Sequence, residues 1–319
     1  MRRLSILAVT LLLTFGVSAD DVIRKGFNVA PGGTLHLDGA IGGIKIVSGG
    51  TGVAIEVVRD ADGRAGEKRL REHRITFEQH GNDVVIKSDS DNDHWNFFDW
   101  NDNYDVQWNI RVPSIYNVDV STSGGPIDLA DIGGTVEART SGGSIKTGKL
   151  TGQSTLKTSG GSIIVGGSAT RLTAHTSGGS ITIGNTAGPV EARTSGGSIH
   201  LAQMQGDVVA RTSGGGIRID DALGSVDAST SGGSITARLS QQPRGDSKLS
   251  TSGGGLTVTL APTIKVDLDA RASGGGVDSD VPVTVQGTQD DASLRGQVNG
   301  GGPKLVLRTS GGGIHVKRL

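Results

Sequence analysis

Two short segments in which apolar and polar residues alternate recur every 18 residues through the second half of the chain. One follows a pair of glycines and begins with isoleucine, as in residues 181–183 (Ile-Thr-Ile), and the other precedes a threonine, as in residues 190–192 (Val-Glu-Ala). Alternation with a period of two indicates strands that bury one face, and segments of about five residues are too short for helices. Each 18-residue unit therefore predicts two short strands.

The tetrapeptide Thr-Ser-Gly-Gly, or a near copy, separates these strands. Its copies begin at Thr122, Thr140, Thr158, Thr176, Thr194, Thr212, Thr230, Thr251, Ala272 and Thr309. Glycine pairs permit positive φ, so the chain can reverse within a few residues. Repeats of fixed length stack so that each buries its apolar face against its neighbours. The pattern predicts an all-β fold, a parallel β-solenoid with 18-residue, two-strand rungs over residues 121–319. The repeat threonines fall on the inner side, where we expect their hydroxyls to pair along a column.

Residues 20–120 lack the strict period but remain rich in predicted strands. Residues 35–37 and 44–46 alternate between glycine turns, and Trp108 alternates with Val106 and Ile110 as a core residue. Residues 64–73 form a candidate short charged helix. We therefore expect a strand-rich N-terminal region that precedes the solenoid.

The first nineteen residues have the order of a secretory signal peptide. Arg2 and Arg3 precede a mostly apolar stretch, and residues 17–19 (Val-Ser-Ala) supply a site for cleavage after Ala19. Since no later segment is long and apolar enough to cross a bilayer, we expect an exported, periplasmic or cell-surface protein without an integral membrane span.

Composition removes several functional classes. The chain has 53 glycines among 319 residues, 3% aromatic residues, no cysteine and a net charge of −1. The absence of cysteine excludes disulfides, thiolate catalysis and cysteine zinc sites. A near-neutral charge gives no nucleic-acid signature. The glycines lack the period of three and the proline content of collagen.

No constellation in the sequence indicates catalysis. The seven histidines are scattered without metal-ligand spacing, and the glycine turns lack the lysine and following helix of a phosphate-binding loop. Residues 89–93 (Asp-Ser-Asp-Asn-Asp) resemble the start of a calcium loop, but His94 and Trp100 stand where an EF-hand needs glycine and glutamate. We expect no catalytic residues, metal site or cofactor.

An aromatic and aspartate-rich insert at residues 89–105 is one candidate binding element. Exposed aromatics beside carboxylates suit sugar stacking, protein docking or a membrane interface. The alternative is a loop that folds its aromatics over the open end of the solenoid. The candidate binding residues are Trp95, Phe97, Phe98, Trp100 and Tyr104.

A basic column is the second candidate, since the residue before each repeat threonine should face solvent. These residues are Arg139, Lys157, His175, Arg193 and Arg211. Stacked at about 4.8 Å, they could hold an anionic polymer. The alternative is a solvated face that Glu137 and Glu191, two residues back, partly neutralise.

Over residues 26–319 the chain resembles a bacterial family of adhesin-like, exported β-strand-repeat proteins, a domain family of unknown function. Besides the Gly-Gly-Ser-Ile repeats, the resemblance rests on residues 27–33 (Phe-Asn-Val-Ala-Pro-Gly-Gly), 108–113 (Trp-Asn-Ile-Arg-Val-Pro), 118–125 (Val-Asp-Val-Ser-Thr-Ser-Gly-Gly), 280–283 (Asp-Val-Pro-Val) and 294–302 (Leu-Arg-Gly-Gln-Val-Asn-Gly-Gly-Gly). It implies an extracytoplasmic β-solenoid with an adhesive or envelope-associated role and supplies no catalytic residues. The insert at 89–105 departs from the family pattern.

Three functions follow as hypotheses. The first is a non-enzymatic, adhesin-like solenoid that binds a cell-surface or envelope partner, either an envelope protein or a surface glycan. The second is a periplasmic structural or envelope-sensing module that docks another envelope protein. The third is a polysaccharide-acting β-helix enzyme, which the narrow rungs of Ser, Gly and Thr disfavour because they offer little concavity.

Overall fold

The computed structural model describes residues 21–90, 104–285 and 290–319. Its strands form two long sheets, sheet A with 14 strands and sheet B with 15, whose inward side chains build one continuous apolar core. This arrangement confirms the predicted β-solenoid. Among the residues described, no helix has the length and hydropathy that a membrane crossing needs.

The elements before residue 113 are β1 (Asp21–Phe27), β2 (Thr34–Ala40), β3 (Gly43–Ser48), β4 (Val53–Ala61), α1 (Gly63–Glu72), β5 (His73–His80), β6 (Asp83–Ser90) and β7 (Tyr104–Val112). The short charged helix expected at 64–73 is therefore present as α1, one residue earlier at each end.

The next 16 strands alternate between the sheets, with even-numbered strands in sheet B and odd-numbered strands in sheet A. They are β8 (Asn117–Thr122), β9 (Ile127–Leu129), β10 (Val136–Thr140), β11 (Ile145–Leu150), β12 (Ser154–Thr158), β13 (Ile163–Ser168), β14 (Leu172–His175), β15 (Ile181–Thr186), β16 (Val190–Arg193), β17 (Ile199–Met204), β18 (Val208–Thr212), β19 (Ile217–Ala222), β20 (Val226–Thr230), β21 (Ile235–Leu239), β22 (Ser247–Thr251) and β23 (Leu256–Leu260). The last six are β24 (Val266–Ala272), β25 (Val277–Ser279), β26 (Val283–Val285), β27 (Ser293–Val298), β28 (Lys304–Thr309) and β29 (Ile314–Arg318).

Successive coils pair in parallel with a shift of 18 residues, which stacks like residues on like. Ile163 lies between Ile145 and Ile181 in sheet A, and all three are buried. Burying one such side chain contributes roughly 1.5–3 kcal/mol. The ladder of isoleucines thus explains how a chain with few aromatics builds a core.

The repeat threonines point inward as predicted, but their hydroxyls do not pair with one another. Thr176 donates its hydroxyl proton to the carbonyl oxygen of Gly161 in the preceding coil at 2.7 Å and accepts the Gly179 N–H at 3.3 Å. The same donation recurs from coil to coil. Each buried hydroxyl therefore ties a turn to the coil before it.

Close approach explains the second repeat glycine. No repeat glycine of the described turns has a positive φ, so the expected left-handed reversal is wrong. A Cβ added at Gly179 would collide with the backbone of Gly161 in the preceding coil. The turn backbones stack too closely for any side chain there.

The stack begins well before the first Thr-Ser-Gly-Gly copy. β2 and β3 form a coil that pairs in parallel with β8 and β9, and β6 and β7 add a further coil outside it. Antiparallel strands close this end, with β4 and β1 on sheet A and β5 on sheet B. Both sheets run without a break across residue 120. As expected, Trp108 of β7 is a core residue, and its indole N–H donates to the Ile41 carbonyl at 3.0 Å.

At the other end the coils do not stack in chain order. β28 lies between β22 and β24, and β29 lies between β23 and β25, with parallel pairing on both sides. The final coil of the chain is therefore inserted beneath an earlier one. The antiparallel strands β27 and β26 then cover the edge of sheet B.

Candidate functional site

The predicted basic column lies on the outer face of sheet B. Cross-strand pairing places Arg139, Lys157, His175, Arg193 and Arg211 beside one another on five successive strands. Each side chain is exposed or half-buried, as the alternation predicts.

Acidic neighbours neutralise most of this column. Arg139 binds Glu137, as expected, and also reaches Asp119 at 3.6 Å. Ion pairs join Glu191 to Arg193 at 2.6 Å and Arg211 to Asp227 at 2.6 Å, and the His175 ring lies 3.4 Å from Glu191. The hydrogen bond from Arg193 lowers the pKa of Glu191. Lys157 is the one cation of the column without an ion pair to a described residue, so the column offers little net charge to an anionic polymer.

Most of the aromatic insert lies outside the described residues. The part outside includes Trp95, Phe97, Phe98 and Trp100. Its two ends are described. β6 ends in sheet B at residue 90 and β7 begins in sheet A at residue 104, so 13 residues connect them. In the regular coils the same step takes four residues, as between β10 and β11. The insert therefore replaces a tight glycine turn.

A buried polar cluster holds the second of these ends. The His73 ring accepts or donates hydrogen bonds at both nitrogens, Nδ1 with the Tyr104 hydroxyl at 2.6 Å and Nε2 with Ser88 Oγ at 2.7 Å. The His73 and Tyr104 rings meet edge to face with centroids 5.9 Å apart. Arg59 donates to the His73 carbonyl at 3.1 Å and pairs with Asp21. Tyr104, one of the candidate binding residues, thus contacts the structural base of the insert.

Protonation in this cluster follows from burial and from the guanidinium. Burial, and then the charge of Arg59, lowers the pKa of His73 to about 4, while burial raises the pKa of Tyr104 to about 12. Both groups are therefore neutral at pH 7. A neutral His73 carries one ring proton, so its ring donates one of these two hydrogen bonds and accepts the other. Both hydrogen bonds are then satisfied.

The cluster predicts an acid-sensitive contribution to stability. The pKa of His73 falls from 6.5 to about 4 on folding, so the unfolded chain binds this proton first as the pH drops. The stabilisation is complete above pH 6.5 and is lost as the pH falls through about 4. In melting curves between pH 7.5 and 4, the wild type should lose stability more steeply than His73→Gln. His80→Gln, whose side chain is 66% exposed, is the control and should follow the wild type. Equal slopes for wild type and His73→Gln would contradict the assignment.

Sequence reasoning missed a concave groove on the outer face of sheet A. The groove has a volume of about 620 Å³ and is formed where β1, β4, β7 and β3 lie side by side. Its lining includes four basic residues and one acid, namely Arg24, Lys25, Lys45, Arg111 and Glu56. Lys45 and Arg111 form no ion pair with any described residue, while Arg24 holds Glu56 at 2.7 Å.

The sequence predicts that the basic residues of this groove face solvent, but it does not predict that they lie close together. Lys45 and Arg111 occupy polar positions of alternating strands, which indicates that both face solvent. Their proximity depends on β7 pairing in parallel with β3 and antiparallel with β4. Such long-range pairing has no local marker in a single sequence. Elsewhere, no group of three or more histidine or acidic residues in the described ranges could hold a metal ion.

Three solved structures are similar to this chain along nearly its whole length. They are a protein of Clostridium sporogenes provisionally named a cell adhesion protein (12% identity, TM-score 0.23, 94% of this chain and 100% of that one), a provisionally named adhesin of Bacteroides fragilis (15%, 0.39, 94% and 97%) and a provisionally named lipid binding protein of Parabacteroides distasonis (13%, 0.34, 95% and 98%). A comparison with curated proteins found no significant match.

A family model matches most of the chain. The Toastrack DUF4097 model covers residues 44–317, from β3 to the last strand of the stack. This span includes the glycine turns, the isoleucine ladders and the inserted final coil. The match confirms the resemblance drawn from the sequence motifs, and the chain belongs to the Toastrack DUF4097 family.

Proposed function

We propose that this chain is a non-enzymatic, adhesin-like binding module, exported to the periplasm or cell surface, whose insert at residues 89–105 recognises an envelope protein or a surface glycan. Regular coils present nearly identical surfaces at every step, so a distinctive partner site needs a departure from the repeat. The insert is the departure with the richest side-chain chemistry, since it carries half of the aromatic residues of the chain. Aromatic side chains dominate the energetics of many interfaces.

One observation carries this proposal. Thirteen residues connect β6 to β7, where four suffice in the regular coils, and both strands that bear them are paired on each side. The hydrogen bonds of His73 fix Tyr104 at the start of β7. Binding loops are commonly mounted on a rigid scaffold in this way. A mere turn would need neither the length nor the aromatic content.

The direct test exchanges the insert for a regular turn. Residues 91–103 are replaced by Ser-Gly-Gly-Ser, the connection between β10 and β11. We expect the melting temperature to stay within a few degrees of the wild type and saturable binding to washed envelope fractions to be lost. A second variant keeps the length and changes Trp95, Phe97, Phe98 and Trp100 to serine, and should lose binding as well.

The end-cap alternative predicts the opposite results for melting temperature and for envelope binding. If the aromatics only cover the open end of the stack, both variants should melt earlier and expose apolar surface to a hydrophobic dye, with envelope binding unchanged. That result would overturn the recognition role. Changing the aspartates of the insert to asparagine separates the contribution of charge from that of the rings.

A further inference from the structure

The groove on sheet A differs from the basic column because it has more positive side chains than acidic neighbours to pair with them. Three lining cations, Arg24, Lys45 and Arg111, occupy outward positions against one lining acid, and that acid, Glu56, is held by Arg24. Asp128 follows Lys45 across the sheet, on β9, but makes no ion pair with it. In a chain of net charge −1 this is a local positive excess. We propose that this groove binds a segment of an anionic polysaccharide.

The spacing of the cations indicates a ligand with several charges. Lys45 lies beside Asn109, and Arg111 is the next outward residue of the same strand β7. With strands about 4.8 Å apart and a rise of about 3.3 Å per residue, the Cα atoms of Lys45 and Arg111 are about 8 Å apart, and those of Arg24 and Lys45 are about 14 Å apart. Repeated carboxylate, sulfate or phosphate groups along a glycan fit this separation better than one small anion.

The floor of the groove suits a sugar ring. Gly26, Ala54 and Val47 line it, and they present little more than backbone and methyl groups. A pyranose can lay its C–H face on such a floor while its charged groups reach the rim. Asn109 stands between Glu56 and Lys45 in the same row of side chains, and its amide has no hydrogen bond to another described side chain. It is therefore free to bind a sugar hydroxyl.

The shape of the groove argues for a chain rather than a membrane surface. A flat array of lipid headgroups cannot follow a concave site of about 620 Å³ to its floor. An extended polymer can lie within it and engage floor and rim together. The cations also retain their full charge for the ligand, because no described acid satisfies Lys45 or Arg111.

The test uses the full chain and defined polymers. Binding of an oligogalacturonate and of dextran sulfate is measured by calorimetry, with neutral dextran as the uncharged probe. Lys45→Ala/Arg111→Ala should weaken binding of the charged probes about tenfold or more, because the variant loses two cations that donate charge-assisted hydrogen bonds to the ligand. Binding should also weaken as salt rises.

A matched control removes two cations from the opposite sheet. Lys248→Ala/Lys304→Ala changes the net charge equally, and both side chains are exposed on sheet B outside the basic column. This variant should bind like the wild type. An equal loss in the control would show that binding follows net charge alone and would overturn the groove assignment.

Filling the groove provides an independent test that keeps every charge. A Cβ at Gly26 would meet no atom within 4 Å, so Gly26→Phe should fold normally while its ring occupies the floor. We expect charged polymers to lose affinity for this variant. Unchanged affinity, no affinity of the wild type for either polymer, or binding only to vesicles of anionic lipid would each contradict the proposal. Exchange of residues 91–103 leaves the groove intact, so the two proposals fail or succeed separately.

Discussion

Deleting residues 304–319 is expected to destabilise the protein far more than deleting a whole 18-residue coil from its middle. The 16 terminal residues form β28 and β29, which lie inside the stack rather than at its end. Their removal takes Leu305, Leu307, Ile314 and Val316 out of the core. It also leaves β24 and β25 without the strands that join them to the rest of each sheet.

The internal deletion should be tolerated because of the repeat. Removing residues 177–194 joins Thr176 to Ser195 and brings β13 against β17 and β14 against β18, with like residues still in register. Repeat stacks lose roughly one unit and one interface in such a change. The shortened protein should remain a single folded body with a modestly lower melting temperature.

Thermal melting and limited proteolysis distinguish the two variants. After deletion of residues 304–319 we expect rapid cleavage between residues 261 and 303 and a separate early transition in the melting curve. The internal deletion should show neither. Equal behaviour of the two deletions would contradict the inserted position of the final coil.

This inserted coil also shows a feature of the fold that the sequence does not predict, namely the order in which the coils stack. Each coil carries the same glycine turn and nearly the same inward residues, so the period reveals that coils stack but cannot specify which neighbours meet. Thr309 donates to Gly254, although Ala272 begins the intervening copy of the tetrapeptide. The period likewise does not predict β26 and β27, an antiparallel pair at the end of sheet B.

The candidate sites show the same difference between local features, which the sequence predicts, and long-range contacts, which it does not. The pairing of Glu137 with Arg139 and of Glu191 with Arg193 follows from residues two apart on one strand, and the alternation predicts both. The alternation does not predict the groove, because β3, β4 and β7 come together through pairings across up to about sixty residues of chain. The buried His73 cluster likewise joins residues from four different strands, β4, β5, β6 and β7.

The inward and outward register of the coils permits a comparison between two adjacent isoleucines. Ile163 is fully buried between Ile145 and Ile181, whereas Ile164 is 44% exposed on the outer face between Lys146 and Thr182. We expect Ile163→Asp to destabilise the fold by about 4 kcal/mol or more, because it loses the buried side chain and places a carboxylate in a dry core. Ile164→Asp should change stability by about 0.5 kcal/mol or less.

Chemical denaturation of the two variants measures this difference directly, and the pair shares strand, residue type and substitution. Ile164→Asp also places its carboxylate beside Lys146, which favours the folded state slightly. Ile163→Ala separates the two causes in the buried variant, since it removes the side chain without adding charge and should cost about 2–5 kcal/mol. Similar losses for Ile163→Asp and Ile164→Asp would mean that the strand has slipped by one residue, because such a slip exchanges the inner and outer faces throughout β13.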